Sequence, residues 1–191
     1  MPVNGGETAL PGAGLSAKVL TVSDAAAAGW RQDRSGSALA ERLTADGYTV
    51  CECRVVADGI DVVADALRTM AEGFDGLIAT TGGTGFGPRD LTPEATESVA
   101  ERRAPGLAEA MRAASPLGRL SRGAAVIVGR CLVLNTPGSP SGALETLEAV
   151  IDVLPHALRL LDGTDAGRHP APVGPGDRGG EVLSSPRTPE G

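Results

Sequence analysis

Gly76-Leu77-Ile78-Ala79-Thr80-Thr81-Gly82-Gly83-Thr84-Gly85-Phe86-Gly87-Pro88-Arg89-Asp90-Leu91-Thr92-Pro93-Glu94 runs from an apolar segment, through a glycine-rich one, into a helix start. The apolar segment reads as a short buried strand over Gly76 to Thr80. The helix start reads as Thr92 at the N-cap, Pro93 at the first helical position and Glu94 in the first turn. Glycines between a strand and a helix let the backbone approach a ligand and aim several N–H groups at it, which suits phosphate oxygens. The helix N-terminus adds its dipole. Asp90 repels phosphate unless a divalent cation lies between them. A tight strand-to-helix connection uses the same residue types, and a carboxylate also serves a helix start. The other segments decide between these readings.

Common nucleotide signatures do not fit. A P-loop requires Gly-Lys followed by Ser or Thr, and the only lysine is Lys18. Gly83, Gly85 and Gly87 miss the dinucleotide spacing. Gly174 to Gly179 and Gly12 to Ala17 match it in letters, but neither lies between a strand and a helix.

Moving outward, Lys18 to Ser23 reads as a first strand, ending at Ser23-Asp24. After a loop holding Trp30, a helix capped by Asp33 or Ser35 carries Leu39 and Leu43 inward and ends at Gly47. Tyr48 to Val56 is a second strand. Asp58-Gly59 then opens a helix with Ile60, Val63, Leu67, Met70 and Phe74 at helical spacing. Beyond the glycine loop, a helix from Thr92 to about Glu101 ends at the solvated pair Arg102-Arg103. A short helix over Leu107 to Ala114 follows, then a loop over Leu117 to Gly123 and two strands joined at Gly129-Arg130. After the turn cluster Asn135 to Pro140, one long helix carries Leu144, Leu147, Ile151, Leu154, Leu158 and Leu161, with Pro155 kinking or interrupting it.

Strands alternating with helices predict a three-layer α/β/α domain with a mostly parallel sheet. In such a sheet ligands bind at the carboxyl ends of the strands, where Ser23-Asp24, Asp58, the glycine loop and the Asn135 turn converge. Composition predicts a flexible arm over residues 1–15, the domain over 16–163, and a disordered tail over 164–191.

The chain of 191 residues has 41% hydrophobic content but one Trp, one Tyr and two Phe, so the core is aliphatic. A net charge of −7 argues against nucleic acid and anionic membrane surfaces as partners. Three cysteines and two distant histidines form neither a disulfide framework nor a zinc site. No signal peptide or membrane-length apolar run is found, so the expectation is a cytoplasmic protein.

In order, the motifs are Val22-Ser23-Asp24, Thr80 to Gly85, Arg89-Asp90-Leu91-Thr92-Pro93-Glu94-Ala95-Thr96, Pro105-Gly106, Leu120-Ser121-Arg122, Asn135 to Pro140, and Leu154-Pro155-His156-Ala157. This series resembles the Mog/MoaB-type family of molybdenum cofactor biosynthesis, which includes the adenylyltransferase domain of gephyrin. The resemblance covers about Ala17 to Gly163. It implies the molybdenum cofactor biosynthesis protein-like fold, commonly a homotrimer. It also implies a nucleotidyltransferase reaction, in which the terminal phosphate of molybdopterin attacks the α-phosphate of Mg²⁺-bound ATP to give adenylylated molybdopterin and pyrophosphate. The product is handed on to a molybdenum-inserting enzyme. The alternative is a non-catalytic paralogue that binds molybdopterin.

By the same resemblance, Asp90 and Asp58 are the catalytic and Mg²⁺-orienting carboxylates. Gly82, Gly83, Thr84 and Gly85 cradle phosphate or nucleotide. Ser23, Asp24, Ser121, Pro137, Gly138 and Ser139 wall the nucleotide and pterin pocket. Many relatives have Arg where this chain has Ala25, and Lys where it has Ser141. Arg31, Arg34 and Arg122 are the arginines left to replace those cations.

Overall fold

A computed structural model of the chain describes residues 10–164. Residues 1–9 and 165–191 lie outside the described residues, and so does most of what was expected of an arm and a tail. Residues 10–15 form hydrogen-bonded turns. There the Gly12 N–H donates to Asp46 O at 2.8 Å, and Gly12 packs so close to the Tyr48 ring that a Cβ would lie 2.2 Å from it.

The strands are β1 (Ser16–Val22), β2 (Thr49–Val56), β3 (Gly76–Thr81), β4 (Arg102–Arg103), β5 (Ala125–Val128) and β6 (Cys131–Thr136). They form one sheet in the order β2-β1-β3-β6-β5-β4. The β1, β2, β3 and β6 ladders are parallel, while β5 and β4 extend the sheet antiparallel. The central strands β3 and β6 are buried along their whole length, which is why their sequences are continuous apolar and threonine runs rather than alternating ones.

The helices are α1 (Asp24–Ala27), α2 (Arg34–Ala45), α3 (Ile60–Ala71), α4 (Thr92–Val99), α5 (Pro105–Ala113), α6 (Pro140–Glu148) and α7 (Leu154–Asp162). On one face Leu39, Leu43, Met111, Leu147, Leu154 and Leu158 pack on Ala17, Val19, Leu77, Ala79, Leu132 and Leu134. On the other, Val63, Leu67, Met70 and Ala95 pack on Leu20, Val22, Ile78 and Val133. The result is the three-layer arrangement. Lys18 lies half-buried in the second face, where its Nζ donates to Met70 O at 2.9 Å, pairs with Glu52 at 3.1 Å and sits 4.4 Å from the Phe74 ring centroid. Burial alone would raise the Glu52 carboxyl, but hydrogen bonds from Lys18 and Arg54 outweigh it and hold it below its usual range.

Four local expectations change. Thr92 is the first residue of α4 rather than its cap, because its hydroxyl donates to Gly82 O at 2.9 Å and its N–H to Gly83 O at 3.1 Å. Arg102-Arg103 is not a helix end; α4 stops at Val99, and the pair forms a short strand on β5 with exposed side chains. The loop over Leu117 to Gly123 holds a 3-10 turn over Pro116–Leu120. Last, of the kink or interruption expected at Pro155 the structure shows interruption, displaced ahead of the proline: α6 ends at Glu148 and α7 starts at Leu154, with Pro155 in its first turn where a missing N–H costs no hydrogen bond.

Candidate functional site

Because β1, β2, β3 and β6 are parallel, their carboxyl ends bring four loops to one rim. The loops are stitched tightly. Thr81 Oγ1 donates to Pro137 O at 2.7 Å, Thr136 Oγ1 to Thr80 O at 2.8 Å, and the Gly82 N–H to Thr136 O at 3.1 Å. Gly82 has φ +100°, and a Cβ there would lie 2.2 Å from Val22 O; this is the close backbone approach that requires glycine. Beneath the rim, buried Asn135 donates through Nδ2 to Thr80 Oγ1 at 3.0 Å and Thr96 Oγ1 at 2.9 Å. Its Oδ1 accepts from the Ala124 N–H at 3.1 Å.

Two cavities open on the rim. The first, about 600 Å³, is lined by Ser23, Arg31, Gln32, Arg34, Asp58 and the start of the glycine loop, among others. The N-termini of α2 and α6 reach it through Asp33, Arg34, Ser35, Ser139 and Pro140. Two helix dipoles therefore favour an anion here. The second, about 540 Å³, is more apolar and is lined by Met111, Leu117, Leu120, Ser121, Asn135 and Pro137, with Thr84 and Gly85. Gly83, Asp90, Gly138 and Ser139 line both. Among the described residues, the N–H groups of Gly83, Thr84, Gly85, Gly138 and Ser139 have no protein acceptor. Free amides on two glycine-containing loops are the donors that a phosphoryl group in transfer needs.

The named residues thus divide. Ser23, Asp58 and Gly82 line the first cavity, while Thr84, Gly85, Ser121 and Pro137 line the second. Asp24 lines neither. Its carboxylate accepts from Arg89 Nε at 2.6 Å and Nη2 at 2.8 Å, and these bonds, helped by the Asp58 amide and opposed by desolvation, hold it below its usual pKa. Ser23 and Ser139 use their hydroxyls as helix caps for α1 and α6. Ser121 Oγ accepts from the Gly123 N–H at 3.2 Å.

Asp58 and Asp90 share a pattern. Asp58 Oδ2 accepts from the Asp24 N–H at 2.8 Å, and Asp90 Oδ2 from the Gly87 N–H at 2.8 Å. In each, the backbone fixes one oxygen and no protein donor among the described residues reaches the other. No group of three or more His, Cys, Asp or Glu among the described residues can hold a metal. A free oxygen on each of two carboxylates is the kind of donor that a hard divalent cation accepts alongside water and phosphate.

Of the arginines, Arg122 serves the loop itself. Its Nε donates to Gly85 O at 2.8 Å, and its other nitrogens reach Asp90 O and the Glu94 carboxylate; its own N–H donates to Thr84 O at 2.9 Å. Burial pushes the Glu94 carboxyl up, but the Arg122 bonds bring it below its usual range. Arg31 and Arg34 remain as cations in the first cavity. Trp30, next to Arg31, is 84% exposed. Sequence reasoning offered Arg122 as a replacement cation, whereas its guanidinium is committed to Gly85, Asp90 and Glu94; it gave Arg89 no role, because the partners of Arg89 are distant in sequence.

Residues 18–156 match the model of the MoCF_biosynth family, described as "Probable molybdopterin binding domain". The molybdopterin adenylyltransferase of Helicobacter pylori (strain ATCC 700392 / 26695) is 40% identical over 152 residues, spanning 76% of this chain and 86% of that protein. That of Escherichia coli K12 is 37% identical over 164 residues, spanning 76% and 84%. Among solved structures, the molybdopterin biosynthesis enzyme MoaB from Thermus thermophilus superposes with a TM-score of 0.73 at 47% identity, covering 78% of this chain and 97% of that one. The molybdopterin biosynthesis Mog protein from Mycobacterium ulcerans gives 0.72 at 41% identity, covering 77% and 99%. With the family model spanning most of the described residues and the same three-layer fold in its neighbours, this chain belongs to the MoCF_biosynth family.

Proposed function

We propose that this chain adenylylates molybdopterin, with ATP as the nucleotide donor. The observation that carries the reading is the pair of cavities meeting at Gly83, Asp90, Gly138 and Ser139. The polar one, with two helix N-termini and two arginines, takes ATP; the more apolar one takes the pterin. The shared wall is where the two phosphates meet. An oxygen of the molybdopterin phosphate attacks the α-phosphorus of ATP. The bond from that phosphorus to the oxygen bridging to the β-phosphate breaks, and pyrophosphate leaves with the bond's electron pair.

No protein nucleophile takes part, so the side chains and amides orient the phosphates and offset their charge. The free N–H groups of Gly83, Thr84 and Gly85 on one side, and of Gly138 and Ser139 on the other, donate to phosphate oxygens. Asp58 and Asp90 present their uncommitted oxygens to Mg²⁺, which when bound offsets charge on the phosphate oxygens. Arg31 and Arg34 stand in the cavity as cations, which suits a chain with Ala25 and Ser141 at its other two candidate positions. Arg122 holds the glycine loop and Asp90 at the junction.

The family resemblance supports a homotrimer in the cytoplasm and hand-off of the product to a molybdenum-inserting enzyme. No helix among the described residues is long and apolar enough to cross a membrane.

The test is incubation of the purified chain with molybdopterin, Mg²⁺ and ATP labelled at the α-phosphate. Label transferred to molybdopterin with matching pyrophosphate release is expected, and Asp90→Asn abolishes both while the far-UV circular dichroism is kept. Tight molybdopterin binding without pyrophosphate would identify a binder instead. Native mass measurement at micromolar concentration checks the trimer.

A further inference from the structure

Four aspartates stand at the carboxyl rim: Asp33, Asp58 and Asp90 line the first cavity, with Asp33 committed to Thr21 and Gly36, while Asp24 does not line it. Asp24 and Asp58 are bound reciprocally: the Asp24 N–H donates to Asp58 Oδ2 at 2.8 Å, and the Asp58 N–H to Asp24 Oδ1 at 3.1 Å. Arg89, from the glycine loop, closes this ring. Its Nε and Nη2 take both oxygens of Asp24, and Nη2 also donates to the main-chain oxygen of Asp58 at 2.9 Å. One side chain thereby joins the loops after β1, β2 and β3.

We infer that Arg89 is a positioning residue for Asp58, acting through Asp24; the inference rests on the proposed adenylyl transfer. A carboxylate held by one amide can rotate about its last bond. A planar guanidinium on both oxygens of Asp24 stops that rotation and fixes Oδ1 under the Asp58 N–H. The Asp24 N–H then fixes Asp58 Oδ2, which leaves Oδ1 on the side of Gly83, 3.3 Å from where a Cβ on that glycine would sit. Arg89 also cancels the charge of Asp24, which lines neither cavity. Lysine supplies the charge but not the fork, so the two contributions separate.

The experiment uses the full chain with Arg89→Gln, Arg89→Lys, Asp24→Asn and the Arg89→Gln/Asp24→Asn pair. Mn²⁺ binding is read by loss of the free-ion electron paramagnetic resonance signal in the presence of α,β-methylene ATP. Pyrophosphate release gives kcat, and metal-free binding of the same analogue and the thermal midpoint serve as controls. Arg89→Gln is expected to weaken Mn²⁺ binding and lower kcat, each about tenfold, as losses behind a metal ligand do, while metal-free analogue binding stays within about twofold. Arg89→Lys falls between, and the pair is no worse than Arg89→Gln alone because both changes cut one linkage.

Mn²⁺ binding and kcat in Arg89→Gln equal to those of the parent overturn the inference. So does an equal loss of metal-free analogue binding, which marks a merely structural role, or additivity in the pair. If Arg89→Gln does not fold, Arg89→Lys decides by the same readouts. A parent that binds Mn²⁺ and the analogue but releases no pyrophosphate sinks adenylyl transfer, while the Mn²⁺ arm still judges Arg89. A parent that binds neither sinks both.

Discussion

Replacing Asn135 by alanine tests whether the hydrogen-bond knot beneath the rim sets the stability of the domain. The side chain is 1% exposed and makes three bonds, to Thr80, Thr96 and Ala124, joining β3, α4 and the lead-in to β5. Alanine leaves the Ala124 N–H without its acceptor, a loss of about 1–3 kcal/mol for a buried group, and removes two donors to buried hydroxyls at about 1 kcal/mol each. The three bonds share one side chain and do not add independently, so the net loss is about 3 kcal/mol. That corresponds to a fall in Tm of about 6–12 °C for a domain of this size. Urea unfolding followed by far-UV circular dichroism at fixed protein concentration measures it. Thr96→Val, which deletes one partner, serves as the internal scale at about 1 kcal/mol. A loss below about 1 kcal/mol for Asn135→Ala would refute the reasoning, since water would then replace the carboxamide without cost.

Further expectations follow from other sites. Gly83→Ala places a Cβ at φ +62°, 2.4 Å from a Thr92 hydroxyl that is pinned to Gly82. Stability should fall by about 2 kcal/mol, since the left-handed conformation alone costs about 1–2, and pyrophosphate release at a temperature where the variant is folded should fall far more. Tyr48, the only tyrosine, is pushed up to about 12 by burial and then by Asp46, against Arg159. Its absorbance titration at 295 nm should show no transition near 10 while the chain is folded. Because the folded value lies above the unfolded one, this contribution is intact below about pH 10 and is lost as pH rises toward about 12. Cys131 is buried, and desolvation, then Asp75, raises its thiol to about 11; Cys51 and Cys53 are exposed, although desolvation also raises the Cys53 thiol and slows its reaction. Iodoacetamide at pH 8 should label Cys51 and Cys53, and Cys131 only in urea, as read by peptide mass.

Much of this architecture is legible because it is local. The run Gly76 to Thr80 lies at the centre of the sheet, and burial on two faces leaves no alternation to misread. The turn clusters at Ser23-Asp24, Asp58 and Pro137 to Pro140 follow strands, and parallel topology alone gathers them, while Asn135 and Thr136, expected in the turn, are the buried end of β6. What sequence reading does not reach depends on distant partners. Thr92 reads as a cap because its hydroxyl's true acceptor, Gly82 O, is ten residues away. Asp24 reads as a pocket wall because nothing nearby announces Arg89, 65 residues on. Arg102-Arg103 becomes a strand only because β5 offers an edge, and a charged pair carries no pattern that says so. The stripe from Leu144 to Leu161 continues in register across the break at residues 149–153, so periodicity cannot reveal two helices.

Trp30 gives the chain an unusual optical character. It is the only tryptophan, and it is exposed to water, next in sequence to Arg31, rather than packed in the aliphatic core. Its emission therefore hardly registers denaturation, because its surroundings are already aqueous. Far-UV circular dichroism or the buried Tyr48, rather than tryptophan emission, has to report the unfolding of this chain.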